Sequence, residues 1–159
     1  MSQNIEIIPY SAEHREAVRR LNYEWIERYF YIEADDARIL ADPQKEILDK
    51  GGFIFFAQMD SAIIGTVSLL RQTDTLFEIG KMAVTESAQG LGAGGLLFAH
   101  CVRFARAHGV EKLVLYSNRS LLAALRVYRK YGFVEVPLES GHYARADIKM
   151  ELNLKTSPS

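Results

Sequence analysis

The stretch Met82–His100, MAVTESAQGLGAGGLLFAH, decides how this chain reads. Gly90, Gly92, Gly94 and Gly95 fall within six residues, directly ahead of a run with helical periodicity. Glycine weakens a helix by roughly 1 kcal/mol relative to alanine. A cluster at a helix start therefore implies a sharp backbone bend or a group that must come very close.

Upstream of that stretch, FIFFAQM and AIIGTVSLLRQ read as strands joined by a tight turn at Asp60–Ser61, and TLFEIGKMAV completes an antiparallel meander. Earlier still, IEIIPY is a first strand stopped by Pro9. A helix follows with Val18, Leu21, Trp25 and Tyr29 at helical spacing. A second helix is expected after EADD, through Ile39 and Leu40, with Pro43 breaking it or starting a new turn. Downstream, the glycine-led helix presents Leu97, Phe98, Cys101 and Ala105 on one face and ends at Gly109. The apolar run KLVLYS predicts a strand buried on both faces. LLAALRVYRKY predicts a helix capped by Asn118 or Ser120 and closed by Gly132, with a stripe of Leu121, Leu125 and Tyr128. FVEV and ARADIKMELNL are the last strands. The order β-α-α-β-β-β-α-β-α-β-β describes one mixed α/β (α+β) domain over residues 1–154, and 155–159 (KTSPS) is expected to be a disordered tail.

Composition narrows the classes. The 159 residues suit one domain with a full core, and 48% apolar with 25% charged residues is an ordinary globular balance. Lys and Arg (19) nearly cancel Asp and Glu (20), which gives no reason to expect nucleic acid or an anionic membrane as a partner. One cysteine, Cys101, excludes an internal disulfide and fits a reducing compartment; on its helix it reads as a core residue. The N-terminus lacks the blocks of a signal peptide, and no apolar run reaches membrane-span length, so a cytoplasmic protein is expected. His14, His100, His108 and His142 lack metal-ligand spacing, and no metal is expected.

Three chemistries compete for the glycines, beside a plain flexible turn. Gly90, Gly92 and Gly95 satisfy G-x-G-x-x-G, but TESAQ separates them from the strand, and KLVLYSN ends without the acidic residue a dinucleotide site needs. An ATP-type loop fails because Leu96 and Leu97 stand where Lys and Ser or Thr are required. The third reading keeps Gln89, as Q-x-x-G-x-G. Backbone N–H groups there converge on an anion ahead of a helix N-terminus, which suits a pyrophosphate.

With that motif preceded by EIGKMAV and followed by YRKYGF, the stretch from Glu78 to Phe133 resembles the GCN5-related N-acetyltransferases, the GNAT family. Arg is commoner than Gln at the first motif position, so the backbone cradle rather than a side-chain salt link carries the likeness. The resemblance implies a mixed, mostly antiparallel sheet of about seven strands flanked by about four helices. It implies acetyl-CoA as co-substrate, with pantetheine against the backbone of Met82, Ala83 and Val84. The pyrophosphate would meet the amides of Gln89, Gly90, Leu91, Gly92, Ala93, Gly94 and Gly95. Asn118 and Ala124 are the further cofactor contacts it suggests. Tyr128 becomes the acid that protonates the leaving sulfur, and also a cofactor contact, and Glu78 the base.

The expected reaction is direct transfer to a primary amine of a small molecule or amino-acid derivative. A non-catalytic acyl-CoA-binding regulatory module on the same fold is the alternative, and the exposed last strands leave a homodimer open. On the acceptor side, Trp25, Tyr29 and Phe30 either line the acceptor pocket or fill the core, the plainer reading, and Glu33, Asp35 and Asp36 either attract a cationic amine or form an ordinary solvated face. Arg145 is a candidate for an acceptor carboxylate.

Overall fold

The computed structural model describes residues 4–140 and 143–155. His142 and all of the expected tail beyond Lys155 lie outside the described residues. Within them the chain runs β1 (Ile5–Pro9), α1 (Arg15–Tyr29), α2 (Ala34–Ala41), a π-helical turn (Gln44–Leu48), β2 (Phe53–Met59), β3 (Ala62–Arg71) and β4 (Leu76–Val84). It continues through α3 (Ala93–Ala107), β5 (Lys112–Ser117), α4 (Leu122–Lys130), β6 (Val134–Val136) and β7 (Ile148–Asn153). The strands form one sheet in the order β1-β2-β3-β4-β5-β7-β6, antiparallel except at β4–β5. This is the mixed, mostly antiparallel architecture that the resemblance implied.

Local chemistry accounts for the meander. Asp60 and Ser61 both take positive φ (50° and 72°), the paired left-handed geometry whose twist matches a two-residue hairpin between β2 and β3. Alternation along the strands then separates two cores. Phe55, Val67, Leu69, Phe77 and Ile79 pack with Leu97, Phe98, Cys101 and Ala105 of α3 and Leu125 of α4. On the other face Ile54, Phe56, Leu70 and Ala83 pack with Val18, Leu21 and Ile26 of α1 and Ile39 and Leu40 of α2. Burying each large aliphatic side chain contributes roughly 1.5–3 kcal/mol, so both helical layers are held firmly.

Several boundaries differ from the sequence reading. The buried stripe of α1 is Ala17, Val18, Leu21, Asn22 and Ile26, so Trp25 and Tyr29 lie to one side of it. The second helix begins inside the acidic run, at Ala34, because Glu33 and Asp36 form a capping box in which the Asp36 carboxylate accepts the Glu33 N–H (2.9 Å). Pro43 starts a new turn rather than breaking a continuous helix. The last strand begins only at Ile148. Of the stripe expected on α4, only Leu125 is fully buried.

Candidate active site

A gap in the sheet makes the site. β4 and β5 pair in parallel over three residues only, Leu76–Glu78 against Lys112–Val114, and then diverge. The rest of β4 keeps its bonds to β3 alone. Thr85 donates its N–H to the Ile64 carbonyl (2.8 Å). In an antiparallel ladder this turns the Val84 amide and carbonyl to the opposite, open edge, and Met82, two residues back, shares that orientation. The Met82 and Val84 side chains meanwhile pack on the α3 core. Backbone exposure and side-chain burial therefore coexist at both residues. The gap widens into a cleft of about 890 Å³.

The glycine turn closes one end of the cleft. Gly90 and Gly92 have φ of +86° and +91°, a region that L side chains rarely adopt. A Cβ added at Gly90, Gly92 or Gly95 would meet nothing within 4 Å. These glycines are thus not accommodating a neighbour within the protein; they leave room. The first bond of α3 runs from Leu96 N–H to the Gly92 carbonyl, so the amides of Ala93, Gly94 and Gly95 precede the helical ladder. The Gln89 and Leu91 amides, both expected to meet the pyrophosphate, instead donate within the turn to the carbonyls of Glu86 (3.2 Å) and Ala88 (3.4 Å), so the amides of Ala93, Gly94 and Gly95 are the ones available. Gln89 donates from Nε2 back to the Val84 carbonyl (3.4 Å), pinning the turn to the open strand edge. Free amides, a positive helix end and unobstructed space fit a pyrophosphate.

Asn118 and Ala124 both line the cleft. The Asn118 side chain donates to the Arg145 carbonyl (2.7 Å) and accepts from the N–H and hydroxyl of Ser120 (2.9 and 2.7 Å). It therefore builds the turn ahead of α4 rather than capping it; the helix begins after Leu121, with no side-chain cap. Tyr128 faces the cleft from α4, its ring 5.1 Å from Phe98 and 6.5 Å from Phe133. Burial raises its pKa, with the Ser117 hydroxyl pulling the other way. The phenol stays protonated at neutral pH, so in proton transfer it serves as an acid and not as a base.

Glu78 points away from the α3 core that holds Phe77 and Ile79, into the cleft. It is 9% exposed and has no hydrogen-bond partner among the described residues. Burial pushes its pKa up to about 7, against the pull of Lys81. A carboxyl that titrates near neutrality is suited to taking and releasing a proton.

Lys81 owes its position to a bulge. Thr66 faces Ala83 and Ser68 faces Gly80, so Val67 alone spans both Lys81 and Met82. Lys81 takes a left-handed φ of +50°. Simple alternation would send Lys81 to the α3 side; the bulge keeps it on the side of Glu78. Its ammonium donates to Asp36 (2.9 Å) and to the Tyr143 hydroxyl (2.8 Å). Arg145 donates to both Asp36 oxygens (2.6 and 2.9 Å) and to Glu33 (3.1 Å), whose carboxylate also accepts the Ala144 N–H (2.8 Å). Asp36 is wholly buried and Glu33 largely so, leaving only Asp35 of the acidic run in solvent, and Arg145 is already paired. Sequence reasoning missed Lys81 and Tyr143. The available signal was one lysine inside the apolar strand EIGKMAV.

For Trp25, Tyr29 and Phe30 the structure takes the first of the two places the sequence left open, the pocket wall. They line the cleft instead of filling the core interior, with ring centroids 5.3 Å (Trp25–Tyr29) and 5.9 Å (Trp25–Phe30) apart. The end of α1 that carries them is tied to the β4–α3 connection. The Glu24 carboxylate accepts from the Thr85 hydroxyl (3.0 Å) and the Glu86 N–H (2.8 Å), and Arg28 pairs with Glu86.

The Acetyltransferase (GNAT) family pattern matches residues 16–133, and the chain belongs to that family. The "Uncharacterized N-acetyltransferase YvbK" of Bacillus subtilis is 31% identical over 101 residues, which is 62% of this chain and 65% of that protein. A mycothiol acetyltransferase of Thermomonospora curvata is 31% identical over 86 residues, 54% of this chain and 29% of that one. The matched stretch thus spans less than two thirds of these relatives' own length. Among solved structures, a GNAT-family acetyltransferase of Staphylococcus aureus superposes with a TM-score of 0.83 at 21% identity, covering 96% of this chain and all of that one. YncA of Salmonella typhimurium, solved with acetyl-CoA, superposes at 0.74 with 19% identity, covering 98% and 97% of the two chains.

Proposed function

From its membership of the GNAT family and the cleft just described, we propose that this chain transfers an acetyl group from acetyl-CoA to a primary amine. The acceptor is a small molecule or amino-acid derivative, and transfer is direct, within a ternary complex. One observation carries the reading: β4 and β5 part to expose the Val84 backbone edge beside a glycine turn with open space above it. Related structures solved with coenzyme A or acetyl-CoA support the choice of ligand.

Acetyl-CoA supplies an activated thioester. The amides of Gly92 to Gly95 hold its pyrophosphate, and the Met82–Val84 edge pairs with its amide-bearing arm. A strand amide facing the gap polarises the thioester carbonyl, an effect typically worth about 3 kcal/mol of barrier. Glu78 takes the acceptor's proton, so that a neutral amine forms the C–N bond. Tyr128 gives its proton to the sulfur as the C–S bond breaks. The proton still carried by the new C–N nitrogen leaves through solvent and restores the Tyr128 phenol, and Glu78 returns its own proton to solvent, leaving amide and free thiol.

The test is thermal denaturation of the purified chain with acetyl-CoA, NAD or ATP, followed by thiol release in the presence of amines. Ligand at a hundred times its Kd stabilises by about 2.7 kcal/mol, a rise of roughly 5–10 °C in Tm at this size. A shift with acetyl-CoA alone, lost in Gly92→Val, together with amine-dependent thiol release, supports the reading. No shift at saturating acetyl-CoA overturns it, and a shift without thiol release from any amine leaves a binding module.

A further inference from the structure

The cleft opens on both faces of the sheet, and its two walls differ. The glycine turn leads into α3 on one face, whereas Trp25 and Phe30 pack against the core beneath α1 and α2 on the other. Glu78 points to that second face, so its chemistry and the aromatic wall share one chamber.

The charges of that chamber are nearly all committed. Among the described residues lining the cleft, the charged side chains are Glu78, Lys81 and Arg145. Lys81 and Arg145 form a closed lattice with Asp36 and Glu33, two cations against two anions, and the four side chains are 0–15% exposed. Tyr143 lies under both cations, its ring centroid 4.2 Å from the Lys81 ammonium and 4.6 Å from the Arg145 guanidinium. Among the described residues lining the cleft, a second positive charge on an acceptor would meet no carboxylate besides Glu78. A carboxylate on the acceptor would have to break the lattice. Exchanging one partner of a buried pair leaves the other uncompensated, which is strongly unfavourable. An apolar, planar body meets neither obstacle, and aromatic surface favours it.

We infer that the acceptor is a monoamine carried on an aromatic body, its ring seated against Trp25, Tyr29 and Phe30 and its amino group reaching Glu78. This inference rests on the acetyltransferase reading. It excludes polyamines and free amino acids as preferred acceptors because their additional charges have no counterpart in the chamber.

Trp25 is the chain's single tryptophan, so its fluorescence reports occupancy of this wall without turnover. Three probes separate the classes: 2-phenylethylamine, phenylalanine, which adds a carboxylate to the same body, and spermidine, which adds positive charge. The expected result is saturable quenching by 2-phenylethylamine, with kcat/KM for it about tenfold or more above the other two. Tyr29→Ala, at a position 43% exposed and free to change without unfolding, should raise KM for 2-phenylethylamine severalfold while leaving KM for acetyl-CoA unchanged. Spermidine or phenylalanine acetylated as well or better overturns the inference and leaves the acetyltransferase reading intact. Absence of quenching, or a Tyr29→Ala effect equal for all three amines, also overturns it. Quenching with no acetylation of any amine instead overturns the acetyltransferase reading and keeps the aromatic-amine site.

Discussion

The Lys81 ammonium lies 2.9 Å from the Asp36 carboxylate, with the two side chains 3% and 0% exposed, although 45 residues separate them in the chain. Burial lowers the pKa of Lys81 while its bond to Asp36 raises it. Burial likewise works to raise Asp36, but the Arg145 and Lys81 donors outweigh it and hold that carboxyl at about 2. The pair fixes α2 and the segment carrying Tyr143 and Arg145 to the bulged strand, and so shapes the chamber into which Glu78 points.

Asp36→Asn keeps the shape and removes the charge, leaving Lys81 and Arg145 without their shared anion. The expected loss is about 3–5 kcal/mol, on the order of 10 °C in Tm, read by thermal denaturation at pH 7. The folded pKa of Asp36 lies below its unfolded value near 4. Its contribution is therefore full above about pH 4 and fades as pH falls toward 2, so the gap between wild type and variant should narrow over that range. An unchanged Tm at pH 7 would mean that the lattice carries no stability.

Glu78 has the opposite sign. Its folded pKa of about 7 stands above the unfolded value near 4.3, so the folded state binds the extra proton and Glu78's contribution to stability declines as pH rises from about 4.5 to 7. Glu78→Gln should raise stability at pH 8 by about 1–3 kcal/mol while lowering kcat by about 10²-fold or more. Wild-type kcat/KM should climb with pH to an inflection near 7 that is absent in the variant. A retained inflection in Glu78→Gln would assign the base elsewhere.

Tyr128→Phe preserves the ring contacts with Phe98 and removes only the phenolic proton. We expect kcat to fall by about 10²-fold with KM for acetyl-CoA nearly unchanged and Tm within a few degrees of wild type. Full activity in this variant would remove Tyr128 from the mechanism.

Gly92 and Gly95 separate backbone strain from ligand room. Gly92→Ala places a side chain at a φ of +91° and should cost about 1–2 kcal/mol in the free protein. Gly95 is helical without positive φ, and its added Cβ meets open space, so Gly95→Ala should leave the free protein as stable or up to about 1 kcal/mol more so. Both substitutions should weaken acetyl-CoA binding, measured by calorimetry. Normal affinity in Gly95→Ala would put the pyrophosphate elsewhere.

The sequence by itself determined the strands, the helices and the glycine turn. Alternation in FIFFAQM, the Asp60–Ser61 turn and the glycines after Val84 are instructions that act within a few residues. The orientation of Glu78 against Phe77 and Ile79 is equally local, a consequence of strand alternation. Tertiary structure decided the rest. Three paired residues set where β4 and β5 part, and that depends on partners 36 positions apart. The bulge at Lys81 reverses the side that alternation would assign, and its reward is Asp36, a residue whose acidic run looks solvated until α2 is docked. Trp25 and Tyr29 share helical spacing with the buried stripe of α1, yet they face the cleft because the sheet covers one side of that helix and leaves the next side open. Periodicity places residues on a face; only packing decides what that face meets.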